Sequence, residues 1–445
     1  MVERGTNAGG SFNSQPSTLN LIAAHEGPHQ GPVANRPAPG IEWPAVNRFD
    51  AELAGELDAL RAAGLYRELR RVSSPAARRI ELAAGSLLNF SSNDYLGLAD
   101  EPALKEAARR ATAEFGAGST ASRLICGSLA PHHELEETLA AFKGTEAALA
   151  FGSGYAAALG TIPALVGRDD VIVLDKLVHA CVIDAARLSG AKLRVFAHND
   201  LDELESILRW ADTRQPAAAA NRRSRVLVVT ESVFSMDGDH APLPVMVELK
   251  DRFGAWLMVD EAHATGLYGA HRRGLAEALG AASRIEIQMG TLGKAVGVAG
   301  GYIAGSRTLV DFLVNRARSF IFSTAPVPAA AAASTTGIRF IQSDSGAGRC
   351  AQLWANVRRV TTARPELPPH SAILPLIVGD ETGAVAASAV LRERGLFIPA
   401  VRYPTVPRGA ARLRLTLSAA HTLDDLTQLI AALESMDVRP LRSAR

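Results

Sequence analysis

Residues 256–266 read WLMVDEAHATG. Four apolar residues run straight into Asp260, as in a strand that is buried on both faces and ends at the rim of a core. A carboxylate placed there is costly unless a cation or hydrogen bonds compensate it. His263, three residues on, comes near it on a turn. The plainer alternative makes Asp260 the cap of a following helix and His263 an ordinary core histidine. Outward from this stretch the pattern repeats. Short apolar runs at 147–151, 171–174, 193–196 and 226–230 alternate with helix-like segments such as 201–210 and 244–253. Strands alternating with helices fold into a mostly parallel sheet with both faces covered, an α/β architecture.

The flanks divide the remaining chain. Residues 1–45 are rich in Gly, Pro, Asn, Ser and Gln and poor in large apolar groups, so they are expected to form a disordered extension. Residues 46–92 are expected to hold a helix over 48–71, marked by Leu53, Leu57, Leu60 and Leu65, and a short strand at 87–90. A large domain over 93–325 follows. From 326 to 445 an Ala-rich helical start, strand-like runs at 373–378 and 412–417 and a last helix at 424–436 predict a smaller C-terminal α/β domain. The stretch TRQPAAAANRRSR (213–225) reads as a surface loop.

Composition narrows the function. The 445 residues are 47% hydrophobic and 21% charged, with a formal net charge of +1. That balance argues against a nucleic-acid clamp and against binding to an anionic membrane. Cys126, Cys181 and Cys350 are odd in number and far apart, which excludes a disulfide framework and fits a reducing, cytoplasmic setting. The first residues lack the apolar core of a signal peptide. The uncharged run 147–167 is long enough to span a bilayer, but its Gly, Pro, Ser and Thr content reads better as a buried strand, turn and helix. There is no HExxH and no paired His at ligand spacing, so no metal site is expected.

Three more segments carry chemistry. FGSGYAA (151–157) is a strand running into a Gly-rich turn and a helix start, a place for phosphate. It also mimics a dinucleotide fingerprint through Gly152, Gly154 and Ala157, with Asp175 at the end of the next strand, so a nicotinamide oxidoreductase stays open here. TESVFSMDGD (230–239) follows a buried strand; Glu231, Ser235 and Asp237 are candidate ligand contacts, and a solvated loop explains the segment equally well. MGTLGKAVG (289–297) sets Lys294 in an apolar, Gly-rich stretch, where burial lowers an ammonium pKa as a Schiff-base lysine requires. One cofactor uses all of these parts. Pyridoxal phosphate (PLP) needs a lysine for its aldehyde, a carboxylate at its pyridine nitrogen, a ring over its face and a phosphate cup. Lys294, Asp260, His179 and Gly154–Tyr155 fill those roles in turn.

Beyond these segments, NFSSNDYLGL (89–98), GSTASRLICGS (118–128), HNDLDELE (198–205), GTLGK (290–294) and PTVPRGAARLRLTLSAAHT (404–422) stand in order along the chain. With them the chain resembles the α-oxoamine synthases from about Arg48 to the C-terminus. That resemblance implies the PLP-dependent transferase fold type I, like aspartate aminotransferase, with a large PLP-binding domain and a small C-terminal one. It implies that Lys294 links covalently to the cofactor, His179 stacks on its ring, and Asp260 pairs with the pyridine nitrogen. His263 and Ser235 would meet the ring oxygen. Ser153, Gly154, Tyr155 and Thr291 would hold the phosphate side, with Ser323 and Thr324 reaching the phosphate of a neighbouring subunit in a homodimer. Arg414 would take the amino-acid carboxylate; Arg67, Asn93 and Thr405 would line the acyl or product side. Within the family, ASRL, SMDGD and PTVP followed by RLRLTLSAAH are similar to the member that condenses L-alanine with a pimeloyl thioester, on CoA or acyl-carrier protein. The products are 8-amino-7-oxononanoate, CO2 and free thiol, in biotin biosynthesis. The sibling acyltransferase that joins glycine to acetyl-CoA is the alternative, and a non-catalytic subunit of the same fold disagrees with the presence of Lys294. Residues 1–45 and 213–225 have no counterpart in the resemblance.

Overall fold

A computed structural model describes residues 47–83, 85–214 and 223–436. The chain divides into a short unit up to Ala59, of which 47–59 are described, and a large one, Leu60–Arg445. The extension 1–45 and most of the 213–225 loop (215–222) lie outside the described residues.

Seven strands form the central sheet of the large unit: β3 (Ala147–Phe151), β4 (Val171–Asp175), β5 (Lys192–Phe196), β6 (Val226–Glu231), β7 (Trp256–Asp260), β8 (Ile287–Thr291) and β9 (Gly301–Gly305), in the order β3-β9-β8-β7-β6-β4-β5. β9 runs antiparallel to both neighbours, and the pairs β8-β7-β6-β4-β5 are parallel. β6 is buried at every position, because apolar clusters cover both faces. Helices Gly154–Leu165 and Ala180–Ser189 carry one cluster, and helices Leu201–Asp212 and Leu243–Arg252 carry the other. Four parallel strands end in polar residues, Asp175, Glu231, Asp260 and Thr291, and so set a polar rim on an apolar slab.

Two small sheets complete the unit. β1 (Arg79–Leu82), β2 (Gly85–Asn89) and β11 (Leu396–Phe397) form one; β10 (Ile373–Gly379), β13 (Ala411–Thr416) and β12 (Ala400–Val401) form the other. β2 pairs in parallel with β11, so the early strands complete a sheet with residues from the far end of the chain.

The differences from the sequence reading have local causes. The helix expected over 48–71 is Arg48–Ala62. Gly64 takes φ +66, and Leu65 N–H folds back to the Leu60 carbonyl at 2.8 Å, which closes the helix end. The run 147–167 is β3 plus helix Gly154–Leu165, and no described helix is long and apolar enough to cross a membrane. β8 and β9 do not stand out among the short apolar runs of the sequence, because Gly290, Gly301 and Gly305 interrupt their apolar character. At Gly301 the glycine is required: a Cβ there would collide with the backbone at Ser153 and Gly154. All three cysteines are free.

Candidate active site

Lys294 lies on the turn between β8 and β9, half-buried, with Nζ 2.7 Å from His263 Nε2. The other ring nitrogen, Nδ1, meets Tyr95 Oη at 2.5 Å, and the same Oη lies 3.3 Å from Asn93 Oδ1, to which it donates when Nδ1 carries the proton. The chain of bonds runs in two directions. With a neutral amine, Tyr95 donates to Nδ1 and Nε2–H donates to Lys294. With an ammonium, Lys294 donates to Nε2 and Nδ1–H donates to Tyr95. Burial pulls the Lys294 amine down and the Asp260 and Glu231 carboxyls pull it back, leaving it at about 8. Burial and the nearby Lys294, Arg414 and His179 hold His263 well below the usual imidazole range, so the ring is neutral at pH 7. Burial pushes the Tyr95 phenol up to about 12.

No helix follows Asp260. Residues 262–267 form turns, so the helix-cap reading of Asp260 is corrected. Its Oδ1 accepts the Ala262 N–H at 2.9 Å. Burial raises its pKa and the Lys294 charge opposes that rise. Glu231 stands in register beside it on β6. His179 caps helix Ala180–Ser189: its Nδ1 accepts the Cys181 N–H at 3.2 Å, which puts the ring proton on Nε2. Its ring is exposed and close enough to Asp260 and Lys294 to feel both charges.

β13 closes the site from the other side. Arg414 Nε donates to the Ser235 carbonyl at 2.6 Å and Nη1 to Asn93 Oδ1 at 3.1 Å. Arg412 Nη1 reaches Asp237 Oδ1 at 2.6 Å. On its far flank the 235–239 segment is held by His198, whose Nε2 meets Asp239 Oδ2 at 2.7 Å while Nδ1 meets Asp175 Oδ1 at 3.0 Å. Burial opposes the imidazolium, yet the two carboxylates outweigh it and raise His198 to about 10. Asp175 is therefore engaged, and also accepts the Leu177 and Asn199 N–H groups. It is not turned to a ribose, as a dinucleotide site would need.

The third side is the start of helix Gly154–Leu165. Ser153 Oγ caps it by accepting the Ala156 N–H at 3.0 Å, and Tyr155 donates to Asp184. A Cβ built on Gly154 would lie 3.6 Å from the Thr291 Cβ, so Thr291 faces this helix start. Free N–H groups at a helix N-terminus beside a threonine suit a phosphate.

Lys294, His263, Asp260, His179, Ser235, Asn93 and Arg414 thus come together, with Ser153, Gly154, Tyr155 and Thr291 alongside. Ser323 and Thr324 do not join them: both are exposed, next to Phe322, which is 71% exposed. Arg67 and Thr405 line a separate cleft of about 550 Å³ with Arg70, Arg392 and Arg402. The sequence reading gave Tyr95 no role. Its signal was a tyrosine inside NDYLGL, since a buried phenol needs a partner.

The residues fit PLP: an amine of depressed pKa, a buried carboxyl across from it, a ring at the helix cap and a phosphate cradle. The profile of the aminotransferase class I and II family matches residues 86–433. The chain belongs to this family. A curated relative, 8-amino-7-oxononanoate synthase of Anaeromyxobacter sp. (strain K), is 46% identical over 402 residues, covering 88% of this chain and 98% of its own. The protein of that name from Geobacter sulfurreducens is 45% identical over 386 residues, covering 86% and 96%. Among solved structures, serine palmitoyltransferase of Sphingomonas wittichii matches with a TM-score of 0.79 at 32% identity, over 88% of this chain and 97% of that one. A lysine-to-alanine variant of serine palmitoyltransferase from S. paucimobilis, solved with a bound PLP–myriocin aldimine, matches with a TM-score of 0.79 at 28% identity, over 87% of this chain and 97% of that one. The α-oxoamine synthase resemblance, the PLP-dependent type I fold and the cofactor all hold.

Proposed function

We propose that this chain is an acyltransferase that condenses L-alanine with a pimeloyl thioester, giving 8-amino-7-oxononanoate, CO2 and free thiol in biotin biosynthesis. It acts in the cytoplasm as a homodimer with shared sites. The carrying observation is the Lys294–His263–Tyr95 chain of bonds beside buried Asp260, in a protein 46% identical to a curated synthase of that product. Bound PLP supplies an electron sink for carbanion and decarboxylation chemistry.

The residues do the rest. Asp260 would pair with the pyridine nitrogen and hold it positively charged. Lys294 would hold the cofactor's aldehyde carbon and, as a free amine, would be a base near neutral pH that takes the Cα proton at Nζ. Neutral His263 holds or returns a proton at Nε2. Arg414, oriented by Ser235 and Asn93, offers its remaining edge to the amino-acid carboxylate. Phe322, Ser323 and Thr324 form an exposed edge suited to a second subunit.

The cleft with Arg67 and Thr405 supports a thioester on an anionic carrier. Val401 in its wall pairs with Arg412, two residues from Arg414. Burial and then the Arg392 charge lower the proton affinity of Arg70, the mark of crowded cations that an anion relieves.

The test is turnover of the PLP-loaded protein with alanine or glycine, against pimeloyl-CoA, pimeloyl-acyl-carrier protein or acetyl-CoA. Preference for alanine with a pimeloyl donor supports the reading. Preference for glycine with acetyl-CoA overturns it in favour of the sibling enzyme.

A further inference from the structure

Glu231 is the buried acid for which the reaction above has no use. It ends β6 in register with Asp260 on β7, so the two side chains leave the same face of adjacent parallel strands. The residue is 2% exposed. One oxygen, Oε2, accepts the Ser235 N–H at 3.2 Å, and the His179 backbone N–H lies close enough to the carboxyl to stabilise its charge. A single side chain thereby holds the backbone of Ser235 and faces that of His179, two of the residues expected to touch the cofactor ring. The other oxygen, Oε1, is buried with no hydrogen-bond partner. A carboxylate oxygen left so pays its full desolvation cost, and a second anion next to Asp260 adds repulsion.

We propose that Glu231 is a positioning residue kept as a neutral acid: it anchors Ser235 through an accepted N–H bond, faces the His179 backbone N–H, carries its proton at Oε1, and leaves Asp260 as the one anion facing the pyridine nitrogen. This rests on the PLP-site reading above. The groups facing it agree with the assignment. Lys294 is the nearby cation, and it is shared with Asp260. Tyr95 and Cys181, which lie close to Glu231, are both held in their protonated forms by burial, and Arg414, His263 and His179 lie close to Lys294. Burial first, and Asp260 second, raise the Glu231 carboxyl to about 8.

The experiment compares wild type, E231Q and E231A by cofactor dissociation constant across pH and by pH titration of the visible absorbance of bound PLP. Glutamine reproduces a protonated glutamate, with a carbonyl to accept and an amide to donate. Below about pH 7, E231Q should therefore bind PLP within about twofold of wild type, and its affinity profile around pH 8 should show one ionisation fewer than wild type, keeping the one that Lys294 supplies. E231A, which drops both contacts, should bind about tenfold more weakly. If E231A does not fold, the E231Q titration alone decides. A shift of the absorbance titration by about a pH unit in E231Q would mean a native Glu231 anion and would overturn the proposal, as would E231A binding like wild type. Failure of wild type to bind PLP at all overturns the site reading itself, a different result from either.

Discussion

Replacing His198 with alanine removes the clamp between the sheet and the 235–239 segment. The wild-type ring lies between Asp175, whose side chain is 0% exposed, and Asp239 at 35%, and is itself 24% exposed. A rise from 6.5 to about 10 corresponds to about 5 kcal/mol well below pH 6.5 and to about 4 kcal/mol at neutral pH. Water reaching the ring, and the Leu177 and Asn199 N–H groups that still bind Asp175, reduce the expected loss to about 3 kcal/mol. A fold of about 390 residues unfolds with an entropy of about 0.8 kcal/mol/K, so the loss reads as a Tm lower by about 4 °C. The sign with pH is fixed. The folded pKa is raised, so the contribution is whole below pH 6.5 and fades as pH climbs through about 10. Thermal melts of both proteins should therefore differ most near pH 6 and converge by about pH 10. Equal Tm values at neutral pH, or a gap that stays constant to pH 10, would refute the charged clamp.

Lys294→Ala should lose turnover by about 10⁴-fold or more and show no lysine-linked visible absorbance with PLP; borohydride trapping and peptide mapping check the attachment. Arg414→Lys cannot bond Ser235 and Asn93 together, so its KM for alanine should rise by about tenfold or more while PLP still binds; steady-state kinetics measure this. Lys143→Met strands the Glu261 carboxylate, which it now meets at 2.5 Å with both side chains 1% exposed. It should cost about 3–5 kcal/mol, read in chemical denaturation, and adding Glu261→Gln should return part of that loss.

The parallel strands were legible because burial on both faces leaves unbroken apolar runs, as in Val226–Val229. The strand ends were legible as chemistry because Asp260 and Lys294 interrupt such runs. β8 and β9 were hidden by glycines whose purpose is tertiary: Gly301 is shaped by the backbone at Ser153 and Gly154, a neighbour nearly 150 residues away in sequence. Tyr95 and the His198 clamp were hidden for the same reason, since a hydrogen bond between distant residues leaves no period in the sequence. The placement of Arg67 and Thr405 together in one cleft was legible only through family resemblance, not through spacing.

The pairing of β2 with β11 bears on how the protein is made. Leu88 and Asn89 emerge from the ribosome long before Leu396 and Phe397, and until those residues arrive the β2 edge is an open template for another chain. Premature termination anywhere before residue 396 leaves that edge bare, so truncated products should be taken up by chaperones or aggregate rather than persist as soluble fragments.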